Sequence, residues 1–310
     1  MTPHGLNLPW LDYGGDFGAN AWRPAGGLST RDVTPLLLAL DQAAAAGAEV
    51  VRWFVCCDGR AGFITDATGQ PVALQPVVLD DMDTALRMLA ARGLRMMPVL
   101  FDFTWARPAR LVNGVQIGGR APVLRDPVAR HRLWGAVDTL LVAFGRHPQI
   151  AWWDVWNEPE WMCALAPRPW QRLSRRLVQR SLQELVLHVR WHARQPVTVG
   201  LASARGLSLC RDLDLDLLQV HWYDHLDRRS PLAPLPEAPW SRAPLLLGEF
   251  PTRGSAVAVD TIVERAHAAG YSGAWPWSLL ATDGATDRDA ALRAVACART
   301  CDHQTSPRPT

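Results

Sequence analysis

The chain has 310 residues, with 32 basic side chains against 30 acidic ones and a formal charge of +2, and no Arg cluster is dense enough to track phosphates, which argues against nucleic acid as a partner. All 32 basic residues are Arg, so the amine that a Schiff-base aldolase, a pyridoxal phosphate enzyme or a P-loop requires is missing. No run reaches the ~20 apolar residues of a membrane span, and the length suits one catalytic domain somewhat larger than the ~250 residues of a typical eightfold barrel.

Strand and helix signals alternate, the pattern of a parallel α/β fold. Met1 is followed almost at once by the first predicted strand, Gly5-Leu-Asn-Leu-Pro-Trp10. No basic n-region or apolar signal segment precedes it, so the expected location is cytoplasmic. A Gly- and aromatic-rich loop follows, from Leu11 to Asn20, long enough to carry function. Thr34-Pro35 opens a helix that Gly47 ends. The second strand, Glu49 to Val55, holds Arg52 inside an otherwise apolar run, and a buried guanidinium needs an anion, either a surface acid or a carboxylate of the site.

Leu79 to Arg92 reads as a helix, and Arg95-Met-Met-Pro-Val-Leu-Phe-Asp102 as the third strand. Asp102 at its end is either a sugar contact or a turn residue. Asp126-Pro127 opens a helix whose stripe of Leu133, Trp134, Val137, Leu140, Leu141 and Phe144 faces the barrel. The fourth strand is Ile150-Ala-Trp-Trp-Asp-Val-Trp-Asn-Glu-Pro-Glu-Trp161, stopped by Pro159, which has no N–H with which to extend a ladder. Glu158 is left at its end among Trp152, Trp153, Trp156 and Trp161, where burial disfavours the charged form, as a general acid requires.

A helix from about Pro169 to His192 and a fifth strand, Pro196 to Leu201, come next. The sixth strand, Leu217-Leu-Gln-Val-His-Trp-Tyr223, places His221 and Tyr223 on one face. No His-x-His occurs, so a metal at His221, Asp224 and His225 is not expected. Pro231, Pro234, Pro236 and Pro239 make the sixth helix vestigial or a loop. Pro244-Leu-Leu-Leu-Gly-Glu-Phe-Pro251 repeats the fourth-strand design, an apolar run ending in Glu249 and closed by proline. The chain has only seven Glu against 23 Asp, so two at matching strand ends point to a catalytic pair. Val257 to Ala269 is helical, Gly270 to Ser278 is the eighth strand, and residues 302–310 read as a frayed tail after a domain spanning 1–301. Cys56 and Cys57, Cys163, Cys210, Cys297 and Cys301 form no Cys-x-x-Cys pattern, and free thiols are expected.

Trp-Asn-Glu-Pro at 156–159, His-Trp-Tyr at 221–223, Gly-Glu-Phe at 248–250 and Trp-Pro-Trp-Ser at 275–278 resemble, in type and order, the strand-end motifs of clan A glycoside hydrolases, most closely the cellulase and mannanase-like family five. The resemblance runs from about Gly5 to about Ala281. It implies a single-domain (β/α)8 TIM barrel without a cofactor, acting on carbohydrate, with Glu158 as acid/base on the fourth strand and Glu249 as nucleophile on the seventh. It further implies that Arg52 holds Glu249 ionised, that Asn157 bonds the sugar 2-hydroxyl, that His221 touches substrate, that the Tyr223 hydroxyl lies near the nucleophile and that Trp277 stacks on a sugar. Relatives often carry His two residues after the third-strand Asp; this chain has Thr104 there. Trp10, Trp105, Trp161, Trp222 and Trp277 lie at or just beyond strand ends, the rim where sites of this fold sit, and are candidate sugar platforms. The expected reaction is retaining hydrolysis of a β-glycoside, or transglycosylation by the same pair, in a pocket walled by loops 11–20 and 103–125. A binding protein on a silent barrel is the alternative from another class.

Overall fold

The computed structural model describes residues 2–164, 172–226, 238 and 240–305. Its centre is a closed barrel of eight parallel strands: β1 (Gly5–Asn7), β2 (Val50–Phe54), β3 (Arg95–Asp102), β4 (Trp153–Asn157), β5 (Val197–Leu201), β6 (Leu218–His221), β7 (Leu245–Pro251) and β8 (Ala274–Trp277). Each pairs with its neighbours in chain order, and β8 closes on β1 through Asn7 and Trp277. The chain therefore folds as a (β/α)8 barrel.

The helices around it follow local rules. Thr34–Ala46 starts with Pro35 in its first turn and stops at Gly47, whose φ of 93° lies in the left-handed region that glycine reaches without a Cβ clash. Arg175–His192 is capped by Ser174, which accepts from the Leu177 N–H at 3.2 Å, and buries Val178, Leu182, Leu185, Val186 and Val189, a stripe at helical spacing. The expected start of this helix near Pro169 lies outside the described residues, as do Pro231, Pro234, Pro236 and Pro239 of the sixth connection.

Elsewhere the structure redraws the expectation. The helix opened by Asp126 is two, Pro127–Ala136 and Asp138–Phe144, divided at Val137, whose ψ of 1° leaves the helical range. The intended stripe is nonetheless buried throughout. The last helix runs from Arg288 to Thr305 and so includes residues 302–305 of the expected tail, while residues 306–310 lie outside the described residues. Two hairpins escape the reading, Phe63–Thr65 with Pro71–Leu74 and Arg110–Val112 with Val115–Ile117. The second turns on Asn113-Gly114, both at positive φ, the pair that type I′ turns favour. None of the six cysteines is in a disulfide. Among the described residues no helix is long and apolar enough to cross a membrane.

What positions the site is the layering inside the barrel. Side chains alternate along β2, so Val50, Arg52 and Phe54 point inward at three successive levels. Val50 belongs to a bottom plug with Met97, Leu217, Leu246 and Trp275. Phe54 belongs to an upper cluster with Val99 and Trp277. Between them lies a polar level of Arg52, Asp154 and Gln219, all fully buried. That level is crowded: a Cβ on Gly200 would fall 2.7 Å from the Arg52 guanidinium and 3.0 Å from the Asp154 carboxylate, and one on Gly248 would fall 2.4 Å from Gln219. Gly200→Ala is expected to lower unfolding free energy by about 1–3 kcal/mol, the usual cost of overpacking, as read by denaturant melts. An unchanged midpoint would mean that the polar level is loosely packed.

Candidate active site

Arg52 lies inside the barrel and makes four hydrogen bonds to the strands around it. Nε donates to Asp154 Oδ2 at 2.8 Å, one terminal nitrogen to Asn7 Oδ1 at 3.0 Å and to Glu249 Oε1, and the other to Asn157 Oδ1 at 2.8 Å, while also lying 2.8 Å from Asp154 Oδ2. Burial works against the guanidinium's charge, but the ion pairs with Asp154 and Glu249 outweigh it and raise its pKa. Arg52 is 0 % exposed and does not line the cavity, so it positions other groups rather than touching substrate.

Glu249, near the end of β7, has Oε1 on Arg52 and Oε2 accepting from the Tyr223 hydroxyl at 3.2 Å. Burial pushes its pKa up, whereas His221 and Arg52 pull it down. Burial also holds His221 at about 4, so the ring is neutral near pH 7 and Arg52 is the cation in contact with Glu249, opposing a burial effect that leaves the carboxyl raised on balance. Tyr223 is pushed well above 10 by burial and by the adjacent carboxylates, and stays a donor.

Glu158 follows β4 with a φ of 49°, uncommon for a residue with a side chain, and its N–H is fixed by the Gly200 carbonyl at 2.6 Å. Its Oε2 accepts from Trp161 Nε1 at 2.9 Å, and Oε1 lies 2.9 Å from His221 Nδ1. The Gln219 amide nitrogen, a donor, faces His221 Nε2 at 3.3 Å, which puts the neutral ring's proton on Nδ1, pointing at Glu158. Burial raises the Glu158 pKa to about 7, with Trp161 and Arg52 acting in the other direction. One oxygen each of Glu158 and Glu249 lie within 4.8 Å of one another and of a His221 nitrogen. These three could chelate a divalent cation, but Arg52 already supplies the positive charge there, and a metal would occupy the lone pairs that proton transfer and nucleophilic attack need.

Both carboxylates open into a cavity of about 520 Å³, inside the range of small-ligand sites. It is lined also by Trp10, Tyr13, Asp102, Asn157, Tyr223 and Trp277, and by the loop after β3 from Phe103 to Ile117. Trp10 meets Tyr13, Phe54 and Trp277 edge to face, which leaves a shaped aromatic wall. Trp277 is fixed by Nε1 donating to Asp283 at 2.7 Å. Asp102 is both a turn residue and a wall residue: Oδ1 accepts from the Thr104 N–H at 2.7 Å, and Oδ2 from Asn157 Nδ2 at 2.9 Å. That leaves Asn157 one amide N–H for a ligand. Thr104, at the position where relatives often carry His, bonds the Tyr13 hydroxyl at 2.9 Å.

Four expected substrate contacts, His221, Trp105, Trp161 and Trp222, do not line the cavity, while Arg52 contacts Glu249 from beneath it. His221 is buried against both carboxylates, outside the cavity lining, on the inward face of β6 one level above Gln219, whose amide meets its Nε2. Trp105 is fully buried against Phe63 and Phe101 in the short 3-10 turn Phe103–Ala106, so its faces are covered by protein. Trp222, next to His221, takes the opposite face and packs in the core, while its backbone N–H donates to the Glu249 carbonyl at 2.9 Å. Trp161 presents its N–H edge to Glu158. The sequence reading missed Asn7, Asp154, Gln219 and the glycines at 200 and 248; polar residues or glycines inside apolar strands were the available signal.

No protein-family model matches the chain. A mannan endo-1,4-β-mannosidase of Mytilus edulis is 22% identical over 319 residues, covering 88% of this chain and 82% of the relative. The endo-1,4-β-mannanase of Eisenia fetida superposes with a TM-score of 0.75 at 19% identity, covering 96% of this chain and 91% of that one. An exo-β-1,4-mannosidase from an Opitutaceae bacterium superposes at 0.65 and 18% identity, covering 99% and 61%. At these identities the solved structures establish the barrel, and the chemistry must be argued from this chain's own residues.

If Glu158 acts in its protonated form, kcat/KM should fall as pH rises through about 7. The Trp161 N–H stabilises the carboxylate and so lowers this pKa; Trp161→Phe should therefore move the alkaline limb to higher pH, as read from a pH–rate profile. A limb that stays in place would remove Trp161 from the acid's surroundings.

Proposed function

We propose that this chain is a retaining β-glycosidase acting on β-1,4-linked mannosides, with Glu249 as nucleophile and Glu158 as acid/base. The observation that carries the reading is the unequal setting of two close carboxylates, both pushed up by burial, one of them in a direct ion pair with a buried guanidinium that opposes the shift and the other, without that contact, raised to about 7. Their approach to within 4.8 Å fits the ~5–5.5 Å of retaining pairs better than the ~6.5–9.5 Å that inverting enzymes keep for a water. The mannan-active relatives support the choice of sugar.

In the first step a Glu249 oxygen attacks the anomeric carbon as the glycosidic C–O bond breaks, and Glu158 passes its proton to the leaving oxygen. Trp161 Nε1 and the His221 Nδ1 proton then meet the two oxygens of the new carboxylate. In the second step Glu158 takes a proton from water, whose oxygen displaces Glu249 and restores the ionised nucleophile. The free Asn157 N–H donates to the 2-hydroxyl as positive charge develops on the sugar ring, and Trp277 and Trp10 offer apolar faces to it.

Glu249→Ala should abolish hydrolysis of aryl β-mannosides and, with azide, yield the α-mannosyl azide. Glu158→Ala should slow poorly activated substrates by about 10²–10⁴-fold while sparing glycosylation by those with very good leaving groups. Near-normal turnover in both variants would refute the assignment.

The loops bearing Tyr13 and residues 103–117 wall the cavity, which supports cleavage of short chains from the non-reducing end. Labelled manno-oligosaccharides should then release mannose stepwise; mid-chain cuts with rapid loss of mannan viscosity would show an open cleft instead.

A further inference from the structure

Outside the catalytic cavity, a second group of side chains converges on one point with no role in the chemistry above. His188 and His192 are four residues apart in the helix Arg175–His192, hence on one face, with ring centroids 5.0 Å apart. Both Nε2 atoms face the same oxygen, Oδ1 of Asp138 in the first turn of the helix Asp138–Phe144, at 2.6 and 3.4 Å. The three atoms lie within 4.8 Å of one another.

We infer that Asp138, His188 and His192 form a binding site for a divalent transition-metal ion of the zinc type, bridging two outer helices of the barrel. Two imidazoles and a carboxylate are the donors such ions prefer, whereas magnesium and calcium favour oxygen alone. Tetrahedral zinc with bonds of about 2.0–2.2 Å sets its ligand atoms a little over 3 Å apart, so small side-chain rotations bring the three atoms to bonding distance. Side-chain exposures of 17% and 21% for the histidines and 41% for Asp138 leave an entry path and room for a water as fourth ligand. The neighbouring Arg190 turns instead to Asp214 and Asp216, and so does not compete for Asp138. An ion pair accounts for one histidine on Asp138. Two rings aimed at one oxygen are accounted for by a shared ion that both lone pairs and the carboxylate reach together.

None of the three residues lines the catalytic cavity, so the ion is expected to tie Asp138–Phe144 to the end of Arg175–His192 and raise stability without changing turnover. The test is calorimetric titration of the tag-free full chain with zinc chloride at pH 7.5, beside thermal melts with and without zinc. The expected result is one equivalent bound, a higher melting temperature reversed by chelator, and affinity weakened by about tenfold or more in both His192→Ala and Asp138→Asn, a loss of the size that metal-site perturbations commonly give. Glu158→Gln, which alters the other convergent set, should bind zinc as the native chain does. Absence of zinc binding in the native chain, unchanged affinity in His192→Ala or Asp138→Asn, or loss of binding in Glu158→Gln would each overturn the proposal.

Discussion

A guanidinium placed inside a barrel sets the terms for everything around it. Arg52 is fully enclosed, and a buried charge is tolerable only when paired and hydrogen-bonded on every side. The surrounding strands supply that: Asn7 from β1, Asp154 and Asn157 from β4, Glu249 from β7. The cost appears as constraint on sequence. Gly200 and Gly248 carry no side chain because the space is taken, and Gln219 spans the remaining gap toward Asp154 and His221. Removing one partner from such a network leaves a neighbour's charge uncompensated, which is why it behaves as a unit.

The same cation divides the labour of the two carboxylates. Glu249 is in direct contact with it; Glu158 stands one residue past Asn157 and feels it less. Burial raises both, and the direct contact of Arg52 opposes it at Glu249, whereas at Glu158 the guanidinium acts from further off. His221, neutral and donating from Nδ1, lies against both without adding charge. The indole N–H of Trp161 then trims the Glu158 pKa downward, against the larger effect of burial.

Much of this was legible in the chain itself. Apolar runs ending in Glu and closed by Pro announced two barrel strands and their carboxylates, and Arg52 stood out because it interrupts the apolar run from Val50 to Val55. What sequence alone could not supply was depth. Alternation gives the face of a strand, so His221 reads as inward, but not whether inward means the cavity or the layer beneath it. Trp105 and Trp222 stand beside strand ends in the sequence, yet a tight 3-10 turn and the opposite strand face carry them into the core. Asp154 lies 102 residues from Arg52, and only barrel closure makes them partners. The Asn113-Gly114 hairpin, by contrast, carried a local signal in its turn residues that the sequence analysis did not use.

The central claim is that Glu249, paired with Arg52, forms a covalent bond to the sugar. The most direct measurement is mass spectrometry of the chain after incubation with 2-deoxy-2-fluoro-β-mannosyl fluoride, which slows release of a glycosyl-enzyme more than its formation. The account predicts a mass increase of one fluorosugar, mapped by peptide digestion to Glu249. A label on any other residue, or inactivation-free turnover with no adduct and inverted product, would contradict it.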